Sequence, residues 1–305
     1  TEFNYTDVAP TAPAPGSAGA DPVGAMLCQM PNSRGAPSMD IRLIATDLDG
    51  TLLGRGGVLS QRSAEALRAA AEAGIIVVFA SGRPPFMVEP LLHGLDGVVS
   101  YGVLANGSVV CTLPDQRVLR SLRFDLSTAT DVIAQLRADD PRYGFALATD
   151  IGFAHQPGFA ERMPVVSMPS PVDDVLTAID GATEAVKLMV FHDEFAAHEL
   201  LGLLPTLLDT HVSVTHMGAD CVEIGPAGID KAIGLAWLCD RLGLDAAQVM
   251  AFGDEFNDHE MLRWAGHSVA VATAHEATKS LCDEVTLSGD DDGVAVVIER
   301  LLGER

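Results

Sequence analysis

Two largely apolar runs, Ile41 to Ala45 and Ile75 to Ala80, flank a stretch whose apolar residues recur at helical spacing, "SQRSAEALRAAAEAG". Ser60 stands where a helix cap is needed, and Gly74 stands where the helix must end. Strand, helix, strand in that order is a crossover long enough to join parallel strands. Strands that are apolar along their length belong in a sheet covered on both faces. This pattern restricts the chain to an α/β architecture built on a parallel sheet.

The alternation continues. "GRPPF" opens another helix with Pro84 and Pro85 near its start, and "GVVSYGVLANGSVV" reads as strand and turn, with Asn106-Gly107 as the turn signal. After Val222 the spacing predicts a helix in "GIDKAIGLAWLCDRLG", a strand in "VMAFGD", a helix in "EFNDHEMLRWAG" and a strand in "SVAVA". "HEATKSLCD", "EVTLS" and "GVAVVIERLL" repeat the theme.

Between these halves the pattern differs: strand-like "YGFALAT", "AVKLMVFH" and "HVSVTH" alternate with helical "TATDVIAQLRA" and "EFAAHELLGLLPTLL". An inserted α+β domain is expected at 113–218, splitting a Rossmann-like core into 40–112 and 219–305. The 305 residues suit two such units at about 150 residues each. Residues 1–39 are rich in Pro, Ala, Gly and Ser and are expected to form a disordered N-terminal tail. They lack a signal-peptide pattern, and Met39 is a candidate internal start.

A formal net charge of −23 offers no basic field to a phosphate backbone or an acidic membrane surface, so neither nucleic acid nor membrane is expected as a partner. No apolar run approaches the roughly 20 residues of a membrane span. Five scattered cysteines without C-x-x-C fit reduced thiols in a cytoplasmic protein. Nine histidines without H-E-x-x-H, with His211 and His216 on opposite faces of a strand, do not predict zinc. The oligomeric state is not legible.

In open parallel sheets, ligands bind beyond the carboxyl ends of the strands. Asp47 and Asp49 follow the first strand, Ser81 and Gly82 follow "IIVVFA", Asp254 follows "VMAF", and Lys231 sits in the first turn of the helix feeding that strand. The i, i+2 spacing lets Asp47 and Asp49 project from one side of a strand end, where like-charge repulsion calls for a cation. Oxygen donors without His or Cys suit Mg²⁺, which commonly shares its coordination with a phosphate. Lys231, Ser81 and the Gly82 N–H supply donors for the remaining phosphate oxygens.

Taken singly, Asp-x-Asp also reads as a solvated turn, Ser81 as a cap before Pro84, and Lys231 as an exposed helix lysine. Lys187, inside an apolar run, is a rival for the phosphate lysine, and Arg83 either reaches substrate or pins its loop. Order and spacing together carry the assignment.

"DLDGT", "ASGR", the Lys of "GIDKAIGLA" and "GDEFND" resemble the four ordered motifs of the haloacid dehalogenase-like (HAD) superfamily. The tail and the insert resemble its Cof-type phosphatase branch with a C2B cap. The resemblance runs from about Ile41 to the C-terminus. It implies a Mg²⁺-dependent phosphatase acting on a small phosphorylated metabolite, with the insert as a cap domain. Asp47 would be the nucleophile and Asp49 the acid and base. Mg²⁺ would be held by the Asp47 carboxylate, the Asp49 carbonyl and Asp254. Leu48 N–H, Ser81, Gly82, Lys231 and Asn257 would contact phosphate, with Asp258 orienting its neighbours. The branch usually carries Asn before Ala where this chain has Thr273-Ala274, a departure from its pattern.

Asp49 argues against a dehalogenase. A phosphomutase of the same architecture remains an alternative, as does a phospho-accepting signalling module, although the latter has no use for a large insert. If the insert is a lid, His155, Arg142 and Arg162 are polar candidates to face the substrate.

Overall fold

The computed structural model describes residues 40–149, 152–163, 168–208, 212–216 and 220–303; the expected tail, with Cys28, and His211 lie outside the described residues. The first sheet has eight strands: β1 (Leu43–Thr46), β2 (Ile76–Ala80), β3 (Val99–Leu104), β4 (Val109–Thr112), β5 (Val118–Ser121), β12 (Val249–Gly253), β13 (His267–Ala270) and β14 (Glu284–Val285). Their spatial order is β14-β13-β12-β1-β2-β3-β4-β5. β1 pairs in parallel with both β2 and β12, whereas β4 and β5 extend the edge antiparallel. Strand order therefore reverses between β1 and β12, the place where an open α/β sheet forms its ligand crevice.

Alternation along the strands distributes the core to both faces. Ile44, Val77, Phe79, Met250 and Phe252 pack with Leu67, Ala70, Val297 and Ile298 of the helices Gln61–Glu72 and Gly293–Gly303. Leu43, Ala45, Val78 and Ala251 pack on the opposite face with Leu235, Leu238, Met261 and Leu262 of the helices Lys231–Leu242 and His259–Trp264. The first helix begins as its sequence requires, with the Ser63 N–H donating to Ser60 Oγ at 2.9 Å, and Gly74 follows it at φ 80°.

The second sheet holds β6 (Phe124–Asp125), β7 (Tyr143–Thr149), β8 (Phe153–His155), β9 (Glu184–His192), β10 (Val212–His216) and β11 (Val222–Pro226), in the order β10-β11-β9-β7-β8 with β6 on β9. Leu147, Leu188, Val190, Val222 and Ile224 face the helices Leu126–Asp139 and Ala197–Leu207. Ala148 and Val186 cluster with Ala105 of the β3–β4 turn and Val109 of β4.

This is the α/β core with an inserted α+β unit that the sequence implies. The sheets and the expected limits of 113–218 differ at both ends, since β5 pairs in the first sheet and β11 in the second. The sequence does not mark "VEIGP" as a strand, because its Glu interrupts the apolar run and the Lys231 helix follows closely.

Among the described residues no helix is long and apolar enough to cross a membrane. Cys111, Cys221 and Cys239 are buried and Cys282 is half-buried, all as free thiols.

Candidate active site

The crevice between β1 and β12 receives a carboxylate from each strand end. Asp47 leaves β1 with its N–H still donating to Phe252 O of β12 at 3.0 Å, so the backbone ladder fixes its position. Gly50 permits the loop to turn back: its φ is 85°, and a Cβ there would stand 2.2 Å from Asp254 Oδ2. The Leu53 N–H closes this loop on Leu48 O at 2.8 Å, with the Leu48 side chain fully buried. Thr51 Oγ1 donates to Asp254 Oδ1 at 2.5 Å, a contact across 203 residues that the closing Thr of "DLDGT" does not signal by itself.

Lys231 is the first residue of its helix, and Asp230 caps that helix by accepting the Ile233 N–H at 2.9 Å. The helix lies very close to the β3–β4 turn: a Cβ on Gly234 would meet Val103 Cγ1 at 2.6 Å, and one on Gly107 would meet Asp230 O at 1.9 Å. This close approach delivers a fully buried Nζ that donates to Asp47 Oδ1 and Asp258 Oδ1, each at 2.6 Å. Asp258 Oδ2 accepts the N–H groups of Asp254 at 2.9 Å and Glu255 at 3.1 Å. Both oxygens of Asp258 are thus engaged, and it ties Lys231 to the Asp254 backbone.

Asp49 stands apart from this cluster in one respect. Arg83 clasps its carboxylate with Nη2 and, at 2.7 Å, with Nε, and reaches Met87 O with Nη1 at 3.5 Å. The Arg83 N–H donates to Ser81 Oγ at 3.2 Å. Arg83 therefore pins its loop to Asp49, a pairing that residues 34 apart in sequence gave no means to infer.

Ser81 is fully buried, and its carbonyl accepts the Asn106 N–H at 3.1 Å. Asn257 Nδ2 donates to Asn106 Oδ1 at 3.0 Å. Gly82 lies against Asn106 as well, 3.2 Å from Asn106 Oδ1 when measured from a Cβ built on it. Three of the expected phosphate-binding residues, Ser81, Gly82 and Asn257, thus meet around Asn106, whose φ of 55° makes it the turn residue the sequence indicated, while Lys231 lies with Asp47 and Asp258. Lys187 belongs to the second sheet and bonds to Gly82 O and to Glu223, not to the aspartates. The insert's three polar candidates are engaged within the insert: Arg142 with Asp140 and Glu194, Arg162 with Asp193, and both His155 ring nitrogens with the Gln156 and Pro169 carbonyls. Thr273 is exposed.

Burial pushes Asp47 up to about 7; Lys231 opposes this while Asp258 and Asp49 reinforce it. Asp254 is pushed up to about 9 by burial, with Asp47 and Asp258 adding to the shift and the Thr51 hydroxyl opposing it. Burial acts to lower Lys231, but Asp258 and Asp47 hold it above the ordinary lysine range. Asp47, Asp254 and Asp258 each offer a carboxylate oxygen within 4.8 Å of the others. Once Asp47, Asp49, Asp254 and Asp258 are all ionised, Lys231 and Arg83 leave two negative charges unbalanced. That surplus and an all-oxygen donor set fit a hard divalent cation such as Mg²⁺.

The sequence profile of the haloacid dehalogenase-like hydrolases matches residues 44–298. Among curated proteins, the chain is 29% identical over 288 residues to the 5-amino-6-(5-phospho-D-ribitylamino)uracil phosphatase YwtE of Bacillus subtilis, covering 86% of this chain and 98% of that protein. It is 28% identical to the HMP-PP phosphatase of Serratia proteamaculans, covering 84% and 92%. Among solved structures, a haloacid dehalogenase-like hydrolase from Bacteroides thetaiotaomicron superposes with a TM-score of 0.71 at 27% identity, over 86% of this chain and 99% of that one.

Proposed function

The chain belongs to the haloacid dehalogenase-like hydrolases and is a phosphatase of that family; from that premise we propose that it hydrolyses a small phosphorylated metabolite, a sugar phosphate or a phosphorylated cofactor precursor, through a phospho-aspartate at Asp47. The observation that carries this reading is the Lys231 bridge between Asp47 and Asp258 beside Asp254, at the point where strand order reverses. The names of the relatives support the substrate class: one acts on a phosphoribitylamino-uracil and one on HMP-PP.

An Asp47 oxygen forms a bond to phosphorus while the ester bond to the leaving alcohol breaks. Asp49, protonated, gives its proton to the departing oxygen; as the carboxylate it then takes a proton from the water that attacks phosphorus, releasing inorganic phosphate and restoring Asp47. To act, Asp49 must exchange its Arg83 clasp for the ester oxygen. Lys231 neutralises charge at Asp47, and Ser81, Gly82, Asn257 and the Leu48 N–H hold the phosphoryl oxygens. Asp258 holds Lys231 and the Asp254 backbone in register. Mg²⁺, held by the carboxylates of Asp47 and Asp254 and the Asp49 carbonyl, would neutralise charge on the phosphoryl group when bound. The second sheet serves as a cap domain, excluding water and selecting the leaving group.

The test is a phosphate-release screen over a metabolite panel with and without Mg²⁺, with Asp47→Asn as the blank. Expected is release that needs the cation and vanishes in the variant, without any bisphosphate activator. Full turnover by Asp47→Asn, or undiminished release in excess chelator, contradicts the reading; dependence on a bisphosphate assigns a mutase instead.

A further inference from the structure

Lys187 and Glu223 are an ion pair buried to within 2% of full enclosure. They lie on adjacent strands, β9 and β11, where Glu223 pairs with Met189. Their immediate neighbours Leu188, Val222 and Ile224 turn toward the helices of the second sheet. Lys187 and Glu223 turn the other way, where they bond to Gly82 and Asn106, and a register shift between β7 and β9 turns Val186 to that side as well. A docking contact between two sheets is satisfied by apolar side chains, as Ala148 and Val186 do against Ala105 and Val109. Burying two charges instead incurs a desolvation cost that contact alone does not require.

The partners of the pair suggest its use. Lys187 Nζ donates to the Gly82 carbonyl and to Glu223 Oε1. Glu223 Oε2 accepts Asn106 Nδ2 at 2.6 Å, and Asn106 Oδ1 accepts Asn257 Nδ2 at 3.0 Å. The Asn106 N–H also holds the Ser81 carbonyl. That carbonyl shares one planar peptide with the Gly82 N–H, so fixing one fixes the direction of the other. A continuous set of hydrogen bonds thus runs from the second sheet to both ends of the expected phosphate-binding group.

We propose that Lys187 and Glu223 are positioning residues: from the second sheet they preset Gly82 and, through Asn106, Asn257 for a phosphoryl group. The role rests on the phosphatase reading above. It makes phosphate affinity depend on the second sheet being seated, although Lys187 and Glu223 themselves contact no phosphate.

Removing one charge would strand the other in the interior, so the informative variant is the double Lys187→Met/Glu223→Leu, which removes both. Asn106→Gly is its companion, because glycine accepts a φ of 55° while the side-chain relay is lost. Each is compared with wild type in three ways: thermal unfolding, KM and kcat with 4-nitrophenyl phosphate and Mg²⁺, and calorimetric Kd for inorganic phosphate. Both variants are expected to fold and to raise KM and the phosphate Kd tenfold or more, with kcat falling less. A purely structural pair would move only the unfolding temperature.

A folded double variant with wild-type KM and phosphate Kd overturns the proposal; if the double variant does not fold, the same result from Asn106→Gly overturns it. Wild type that releases no phosphate with Mg²⁺ overturns the phosphatase reading instead, whatever the variants do.

Discussion

Burial raises the carboxyl groups of Asp47 and Asp254. Their folded-state values, about 7 and about 9, lie above the ordinary 3.8. The folded protein therefore binds more protons than the unfolded chain between those limits, and stability is lost as pH rises through them. In chelator, denaturant titrations from about pH 5 to about pH 9 are expected to give a falling unfolding free energy. Saturating Mg²⁺ should flatten that fall, because binding requires the deprotonated carboxylates. Stability that rises with pH in chelator would contradict the assignment. Asp49 calls for a different readout. Asp49→Asn is expected to slow turnover of an alkyl phosphate by roughly 10²–10⁴-fold. Formation of the phospho-enzyme from an aryl phosphate, whose leaving group needs little protonation, should suffer far less; equal losses on both would remove Asp49 from the acid role.

At the level of elements, the helix that begins at Lys231 matters because of where it is pressed. Gly234 has Val103 and Gly107 where a side chain would go, and the nearest approach would be 2.6 Å. Gly234→Ala is expected to lift this helix from the β3–β4 turn, withdraw Lys231 Nζ from Asp47, and lower kcat/KM tenfold or more while the protein remains folded; unchanged kinetics would show that the close packing does not set the lysine. Ser60 offers a contrast remote from the chemistry. Losing its cap through Ser60→Ala should cost about 1 kcal/mol of unfolding free energy with kcat unaltered.

These two helices also mark what could be read ahead. Ser60, Gly74 and the turn at Asn106 were legible because each signal is local: a cap hydroxyl, a left-handed glycine, a turn dipeptide. The strand Val222–Pro226 was not, because its membership of the second sheet depends on partners in β9 and β10. The aspartates, Ser81 and Lys231 announced themselves by following strands or opening a helix. The Arg83–Asp49 clasp and the Lys187–Glu223 pair join residues whose separation in sequence, 34 and 36, carries no periodic signal.

For the molecule as a whole, the order β14-β13-β12-β1-β2-β3 brings chain segments some 200 residues apart into one crevice, with Thr51 bonded to Asp254 across that interval. The net charge of −23 makes a concentrated acidic site harder to hold, and the buried Lys231 is set against it. The mechanism proposed above turns on one covalent event at Asp47. In Asp49→Asn, 4-nitrophenyl phosphate should still phosphorylate Asp47, while the missing base stalls hydrolysis and lets the acyl phosphate accumulate. Acid quenching, borohydride reduction and peptide mass spectrometry should then find homoserine at position 47, only in substrate-treated samples containing Mg²⁺. An unmodified Asp47 in enzyme that is turning over, or homoserine at another aspartate, would contradict the mechanism.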